Sequence, residues 1–172
     1  MSLANDLLDQ ANALASLDPG KPKQANLRRA ISAAYYALFH LLIDEGAATV
    51  GSKLNAAAKA KIRRAFAHAD MKAVCASYAK ASNVQSFNQQ IGPLLLFPLD
   101  PLLMDVAEAF VLLQEARHEA DYDVYVVYNR QDTTSNIRMA EDAFTAWRGV
   151  RSTDNAKVFL VDLLLRKNWS RS

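Results

Sequence analysis

The 172-residue sequence holds one cysteine, a charge balance close to neutral and no unbroken apolar run long enough for a bilayer, and each shortage removes a class of protein. Cys75 has no partner in its own chain, so a disulfide framework and a multi-cysteine metal site are both excluded within one chain. A reducing, cytoplasmic setting is expected. Twenty basic residues against 18 acidic ones give a net charge of +2. That is not the dense basic surface of a nucleic-acid coat protein, and any RNA or DNA contact must be local. The most apolar stretch, LLLFPLDPLLMDV, is broken by Pro98, Asp100 and Pro101 before it reaches the length of a span, so no membrane association is expected. Asp6 and Asp9 lie among the first leucines where a signal peptide would carry a basic start and an apolar run.

Catalytic signatures are equally scarce. GAATVGSK, Gly46 to Lys53, has the look of a phosphate loop, but its lysine and serine are in the wrong order and it follows a helical pattern rather than a strand. His40, His68 and His118 show no HExxH spacing, which gives no reason to expect a metal, and no cofactor motif is present. There is no GxSxG, and Cys75 within a helical pattern reads as a small buried hydrophobe.

What the chain does have is a 51% hydrophobic composition arranged at helical spacing. Leu3, Leu7, Ala11, Leu14 and Leu17 define a first helix that ends at the turn residues Asp18, Pro19 and Gly20. A second is expected from about Gln24 to Glu45 on the stripe Leu27, Ile31, Ala34, Leu38 and Leu41, with Gly46 just past its end. A third, alanine-rich, covers about Asn55 to Ala81 with Ile62, Phe66, Ala69 and Ala73 inward, and His68 and Asp70 are where it would break. Residues 82–99 lose the pattern and read as a packed excursion with a short helical turn. Asp100 and Pro101 form an N-cap and first-turn pair for a fourth helix on the stripe Leu103, Val106, Phe110 and Leu113. Asp132 or Thr133 would cap a fifth with Ile137, Ala140, Phe144 and Trp147 inward and Gly149 at its close. A sixth, from about Asp154 to Lys167, brings Val158, Val161 and Leu165, before the basic tail RKNWSRS. Strand alternation is confined to DVYVVY. The expected fold is all-α: one domain over residues 1–172, an antiparallel up-down bundle of five to six helices.

Two stretches carry polar side chains where a bundle would bury apolar ones. In EARHEADYDVY, Arg117 and Asp121 continue the stripe of the fourth helix beyond Leu113. A charge on a core face has to be paired, which makes Arg117 and Asp121 either a site or an ordinary pair one turn apart at a solvated helix end. Arginine before aspartate is the weaker order for such a pair. In LRRAISAAYYALFHLL, Arg29, Tyr36 and His40 fall at offsets of seven and four, close to one line beside the apolar stripe. They are either cleft residues or amphipathic side chains at a helix surface.

Together the two stretches resemble the HEPN superfamily, in particular its small stand-alone prokaryotic members. The pattern there is an early helix with arginine, a tyrosine pair, then alanine, leucine, phenylalanine and histidine, as in Arg29 to His40. It continues with a later helix ending in arginine and alanine-aspartate-tyrosine, as in Arg117, Ala120, Asp121 and Tyr122. A capped amphipathic helix follows, here from Asp132, so that the resemblance spans about Gln24 to Gly149.

The resemblance implies a bundle that often forms a homodimer with the motif of each chain lining a shared cleft. It also implies metal-independent ribonucleases, often toxins partnered with a nucleotidyltransferase, and here Tyr122 and Tyr125 would be the tyrosines within such an enzyme's reach. The family motif is arginine, a polar residue, then histidine: a cation for the phosphate and a base for a ribose 2′-hydroxyl. Arg117 and His118 fit its start, but after four intervening residues stands Tyr122 in place of histidine. A phenol titrates near ~10 in water and is a weak base at neutral pH. The expectation is therefore a site of Arg117, His118, Asp121 and Tyr122, flanked by Arg29, Tyr36 and His40, that binds RNA, a nucleotide or a partner protein with little or no catalysis. Two rivals stand beside it. One is an endoribonuclease in which Arg117 holds the phosphate and His118 or His40 replaces the base. The other is a structural interaction module with Arg117 and Asp121 as a specificity pair.

Overall fold

The computed structural model describes residues 2–169, with side chains to residue 166, and the described residues form helices and turns without a strand. In chain order the helices are α1 (Leu3–Ser16), α2 (Gln24–Val50), α3 (Ala56–Arg63), α4 (His68–Ala79), α5 (Pro101–Tyr122), α6 (Arg130–Val150) and α7 (Asp154–Trp169). Two 3-10 turns, Val84–Ser86 and Gly92–Leu94, lie in the excursion before α5. No described helix is long and apolar enough to cross a membrane. The chain divides into two compact units, Met1–Leu41 with Ala109–Thr145 and Leu42–Glu108 with Ala146–Ser172, which are taken in turn.

In the first unit the stripe read for α1 is corrected. Ala4, Ala11 and Ala15 are its buried residues, whereas Leu3 is 52% and Leu17 60% exposed. Alanine lets a helix approach its neighbours closely, and close packing selects the small residues over the large ones. Ser2 accepts from the Asn5 amide at the N-terminus of α1. Around its C-terminus, Arg130 donates to the carbonyls of Ala15 in its last turn and of Asp18 and Gly20 beyond it. The Asp18 carboxylate accepts from the Lys23 amide and the Asn26 side chain, which hold its pKa below the ordinary range and fix the turn into α2. Leu27 and Ile31 of α2 meet Ala120 of α5 and Tyr128 in a small core, with Ala116 and Val126 against it. The cap of α6 is Asn129, whose side chain accepts from the Asp132 amide, rather than Asp132 or Thr133. Thr133 instead lies fully buried, its hydroxyl donating to the Asn129 carbonyl.

The second unit departs from expectation at three points. The third predicted helix is two, α3 and α4, with the break just before His68, where His68 and Asp70 marked it; what departs is the number, which this split takes to seven among the described residues. The interruption resets the register, so α4 buries Met71, Val74, Cys75 and Tyr78 and leaves Ala69 and Ala73 exposed. Gly46 does not end α2. It lies inside the helix, where a Cβ would stand 2.6 Å from the Phe66 ring, so the glycine admits a close neighbour rather than a turn. Gly149 is likewise inside α6. In α7 the buried residues are Ala156, Phe159, Leu160, Asp162 and Leu163, while Val158, Val161 and Leu165 are half-buried. Beyond Arg166 the side chains of the basic tail lie outside the described residues.

Other expectations hold locally. The Asp100 carboxylate accepts from the Leu102 amide at the head of α5, and Leu103, Val106, Phe110 and Leu113 are all fully buried. The excursion is packed: Asn155 donates to the Leu96 carbonyl and accepts from its amide. Phe87 meets the Tyr78 ring at 4.7 Å.

Tyr78 also meets Phe159 of α7 at 4.8 Å, and Asp162 of α7 is only 1% exposed. Its Oδ1, with the Tyr78 hydroxyl and the Trp147 Nε1, has no hydrogen-bond partner. Burial pushes the Asp162 carboxyl up to about 6, although Arg166, one turn on, favours its charge. Burial beside Asp162 also raises the Cys75 thiol and the Tyr78 phenol, so Cys75 is an inert core residue.

Candidate functional site

The residues singled out in EARHEADYDVY meet those of α2 within the first unit. The Arg117 Nε lies 2.8 Å from Asp121 Oδ2, each side chain 22% exposed. This contact is electrostatic, since the Nε–H has no aligned acceptor. Arg117 Nη2 donates to the Tyr36 hydroxyl at 2.8 Å, and Ser32 Oγ donates to Asp121 Oδ1 at 2.5 Å. The guanidinium also lies 5.4 Å from the centre of the Tyr36 ring and 5.7 Å from that of Tyr122, within cation–π range of both. Burial works against its charge, but Tyr36 and Asp121 outweigh burial and leave the Arg117 pKa raised.

The arrangement explains why charge is tolerated at the end of the α5 stripe. Positions 117 and 121 face α2 at Ser32 and Tyr36, so the apolar face gives way to a paired polar one. Tyr36 joins the network through its hydroxyl. Arg29 lines a groove with Ser32, Tyr36 and residues of α1, and His40 packs edge-on against Phe39 at 5.4 Å. His118 lies against the Tyr122 ring at 4.9 Å.

Where α5 ends, His118, Glu119, Tyr122, Asp123, Val124 and Tyr125 line a shallow pocket of about 440 Å³. Tyr122 is 66% and Tyr125 90% exposed. Such faces suit stacking, and the adjacent guanidinium supplies a cation. Among the described residues no three histidine, cysteine, aspartate or glutamate side chains converge as metal ligands.

Sequence reasoning missed the residues that shape this pocket. Arg28, rather than its neighbour Arg29, reaches the α5 terminus. Its Nη1 donates to the carbonyls of Ala120 at 2.7 Å and Asp123 at 2.8 Å, and its Nη2 donates to that of Val126. Gln24 holds the other end of the loop, donating to the Tyr128 carbonyl at 2.7 Å and accepting from its amide at 2.9 Å. The Tyr128 hydroxyl donates to Glu119 at 2.7 Å, and burial with this bond raises its pKa, so it remains a donor. The one available signal was local: Arg28 stands beside Leu27 and three residues before Ile31, at the margin of the buried stripe.

Comparison of the chain with protein-family models, curated proteins and solved structures gives no match.

Proposed function

We propose that the protein is a HEPN-like antiparallel helical bundle, homodimeric and cytoplasmic, that binds single-stranded RNA or a nucleotide at Arg117, His118, Asp121 and Tyr122 with little or no cleavage. The observation that carries this reading is the Arg117 guanidinium lying over the rings of Tyr36 and Tyr122 beside the pocket of His118 and Tyr125. Exposed rings accept any base by stacking, at about 1–3 kcal/mol each, and a cation beside them attracts phosphate. Cleavage is disfavoured by the ion pair of Arg117 with Asp121 and by a phenol where the resembled motif has its histidine base.

The structural-module reading has its own support, since Arg117 is engaged by Asp121 and Tyr36 and Asp121 in turn accepts from Ser32, all within the chain. Fluorescence anisotropy of a labelled single-stranded RNA separates the two. Binding that weakens about tenfold in Tyr122→Ala, with the fold retained, supports the site. Absence of binding by the wild type sinks it and leaves the module. RNA cleavage in excess chelator that disappears in a folded Arg117→Gln variant would revive the ribonuclease.

A further inference from the structure

A groove of about 380 Å³ lies between α1 and α2 in the first unit. Leu7 and Leu14, both half-buried, form its apolar wall on α1, with the exposed Gln10 amide between them. On α2 it is lined by Ser32, by the half-buried Tyr36 and by Arg29. Among the described residues that line the groove, Arg29 alone is charged, and Asp6 and Asp9 of α1 are not part of the lining. Arg29 is exposed and, among the described residues, makes no ion pair or hydrogen bond. Its neighbour Arg28, by contrast, holds three carbonyls. A guanidinium without an anion, set in a concave and mostly apolar site, calls for an anionic occupant.

The groove is joined to the candidate site through Tyr36. Its hydroxyl accepts from Arg117, whose guanidinium lies 5.7 Å from the centre of the Tyr122 ring, and Tyr122 lines the pocket at the end of α5. An unbroken series of side chains therefore leads from the groove to the pocket. At about 380 and 440 Å³ the two hollows are of similar size. Each sets apolar or aromatic faces beside a guanidinium, that of Arg29 in the groove and that of Arg117 beside the pocket. A ligand that repeats a ring system and an anion matches this doubling, whereas a free nucleotide fills only half of it.

We propose that the groove is a further nucleotide subsite, and that the ligand is a single-stranded oligonucleotide running from the α5 pocket over Arg117 into the groove, where a base lies against Leu7 and Leu14 and a phosphate meets Arg29. This rests on the RNA reading above and selects the strand over the free nucleotide. The Gln10 amide both donates and accepts, which suits the edge of an unpaired base. Ser32 takes no part in the readout, because its hydroxyl is committed to Asp121.

The test is fluorescence anisotropy of the full chain with a labelled adenylate dinucleotide and octanucleotide over a salt series, in the wild type, Arg29→Gln and Gln10→Glu. Both variants change exposed side chains, and circular dichroism checks that they fold. The wild type is expected to bind the octanucleotide at least about tenfold more tightly than the dinucleotide, because the groove is filled intramolecularly once the α5 pocket is occupied. Arg29→Gln is expected to lose most of that gain and to reduce the slope of log affinity against log salt by about 0.7, the share of one phosphate on a single strand. Gln10→Glu, which sets a carboxylate in the groove, is expected to lose the gain as well.

Equal affinity of the wild type for the two lengths, or an Arg29→Gln variant that keeps both the gain and the slope, overturns the groove and leaves the α5 pocket standing. No binding of either oligonucleotide by the wild type overturns the groove and the RNA reading together. Adenosine monophosphate that binds the wild type but not Arg29→Gln, with octanucleotide binding indifferent to that change, makes the groove a separate nucleotide site and overturns the continuous strand.

Discussion

The two units differ in how far their buried polar side chains are tied into networks. In the first, polar side chains that turn inward form a network: Asp121 has Arg117 and Ser32, Arg28 has three carbonyls and Tyr128 has Glu119, although the Arg117 Nε lacks an aligned acceptor. In the second, the Asp162 Oδ1, the Tyr78 hydroxyl and the Trp147 indole nitrogen have no hydrogen-bond partner, and the carboxyl responds by taking up a proton more readily. A paired network specifies a local arrangement, whereas an unpaired group costs stability. The first unit therefore spends its polar residues on shape around the candidate pocket, and the second carries them at a loss.

The largest effect is expected where one residue serves the most partners. Arg28→Ala removes three charge-assisted hydrogen bonds and is expected to cost about 3 kcal/mol, with faster amide exchange across residues 123–128. Arg28→Lys restores only part of it, because an ammonium lacks the planar fork. Chemical denaturation with hydrogen exchange on both variants checks this.

Asp162→Asn has the opposite sign. It deletes a charge the core disfavours and is expected to add roughly 2–3 kcal/mol at pH 7. The folded carboxyl holds its proton up to about 6 against an ordinary 3.8, so the native state binds the proton more tightly than the unfolded chain. Its contribution is fully present below pH 3.8 and is lost as the pH rises through about 6. Denaturation midpoints across that window should fall in the wild type relative to Asp162→Asn, and parallel curves would show that Asp162 has found a partner in solution.

A smaller loss, about 1–2 kcal/mol, is expected for Arg117→Gln, because the pair is partly solvated. Ser32→Ala, which leaves Asp121 its arginine, should cost about 1 kcal/mol. A double-mutant cycle of these two changes measures whether the network is coupled; strict additivity would reduce it to independent surface contacts.

What was legible in the sequence was what is local. Asp100 and Pro101 capped α5 as read, and its stripe from Leu103 to Leu113 is buried, because caps and periodicity act within a turn or two. Arg117 and Asp121 were marked by their place on that same stripe. The α1 face was misread because leucine outweighs alanine in any hydrophobic count, although close helix packing prefers the smaller residue. The break before His68 was marked by His68 and Asp70, but not the register it resets, because no glycine or proline fixes where the new helix starts and α4 buries Met71, Val74, Cys75 and Tyr78. Arg28 was passed over because its partners lie 92 to 98 positions away, a distance that no local pattern spans.

The grip of Arg28 falls on peptide oxygens, which every residue carries whatever its side chain. Within Asp123 to Val127, Asp123 and Val126 are the exceptions, since the Asp123 carboxylate accepts from the Tyr125 amide and the Val126 side chain packs against the core of Leu27 and Ile31. Val124, Tyr125 and Val127, all well exposed, are held by a mechanism blind to their identity. The tip is thus a stretch where substitutions accumulate without unfolding the chain. Natural drift, or a randomised library confined to those positions, would retune what the pocket accepts while leaving its frame intact.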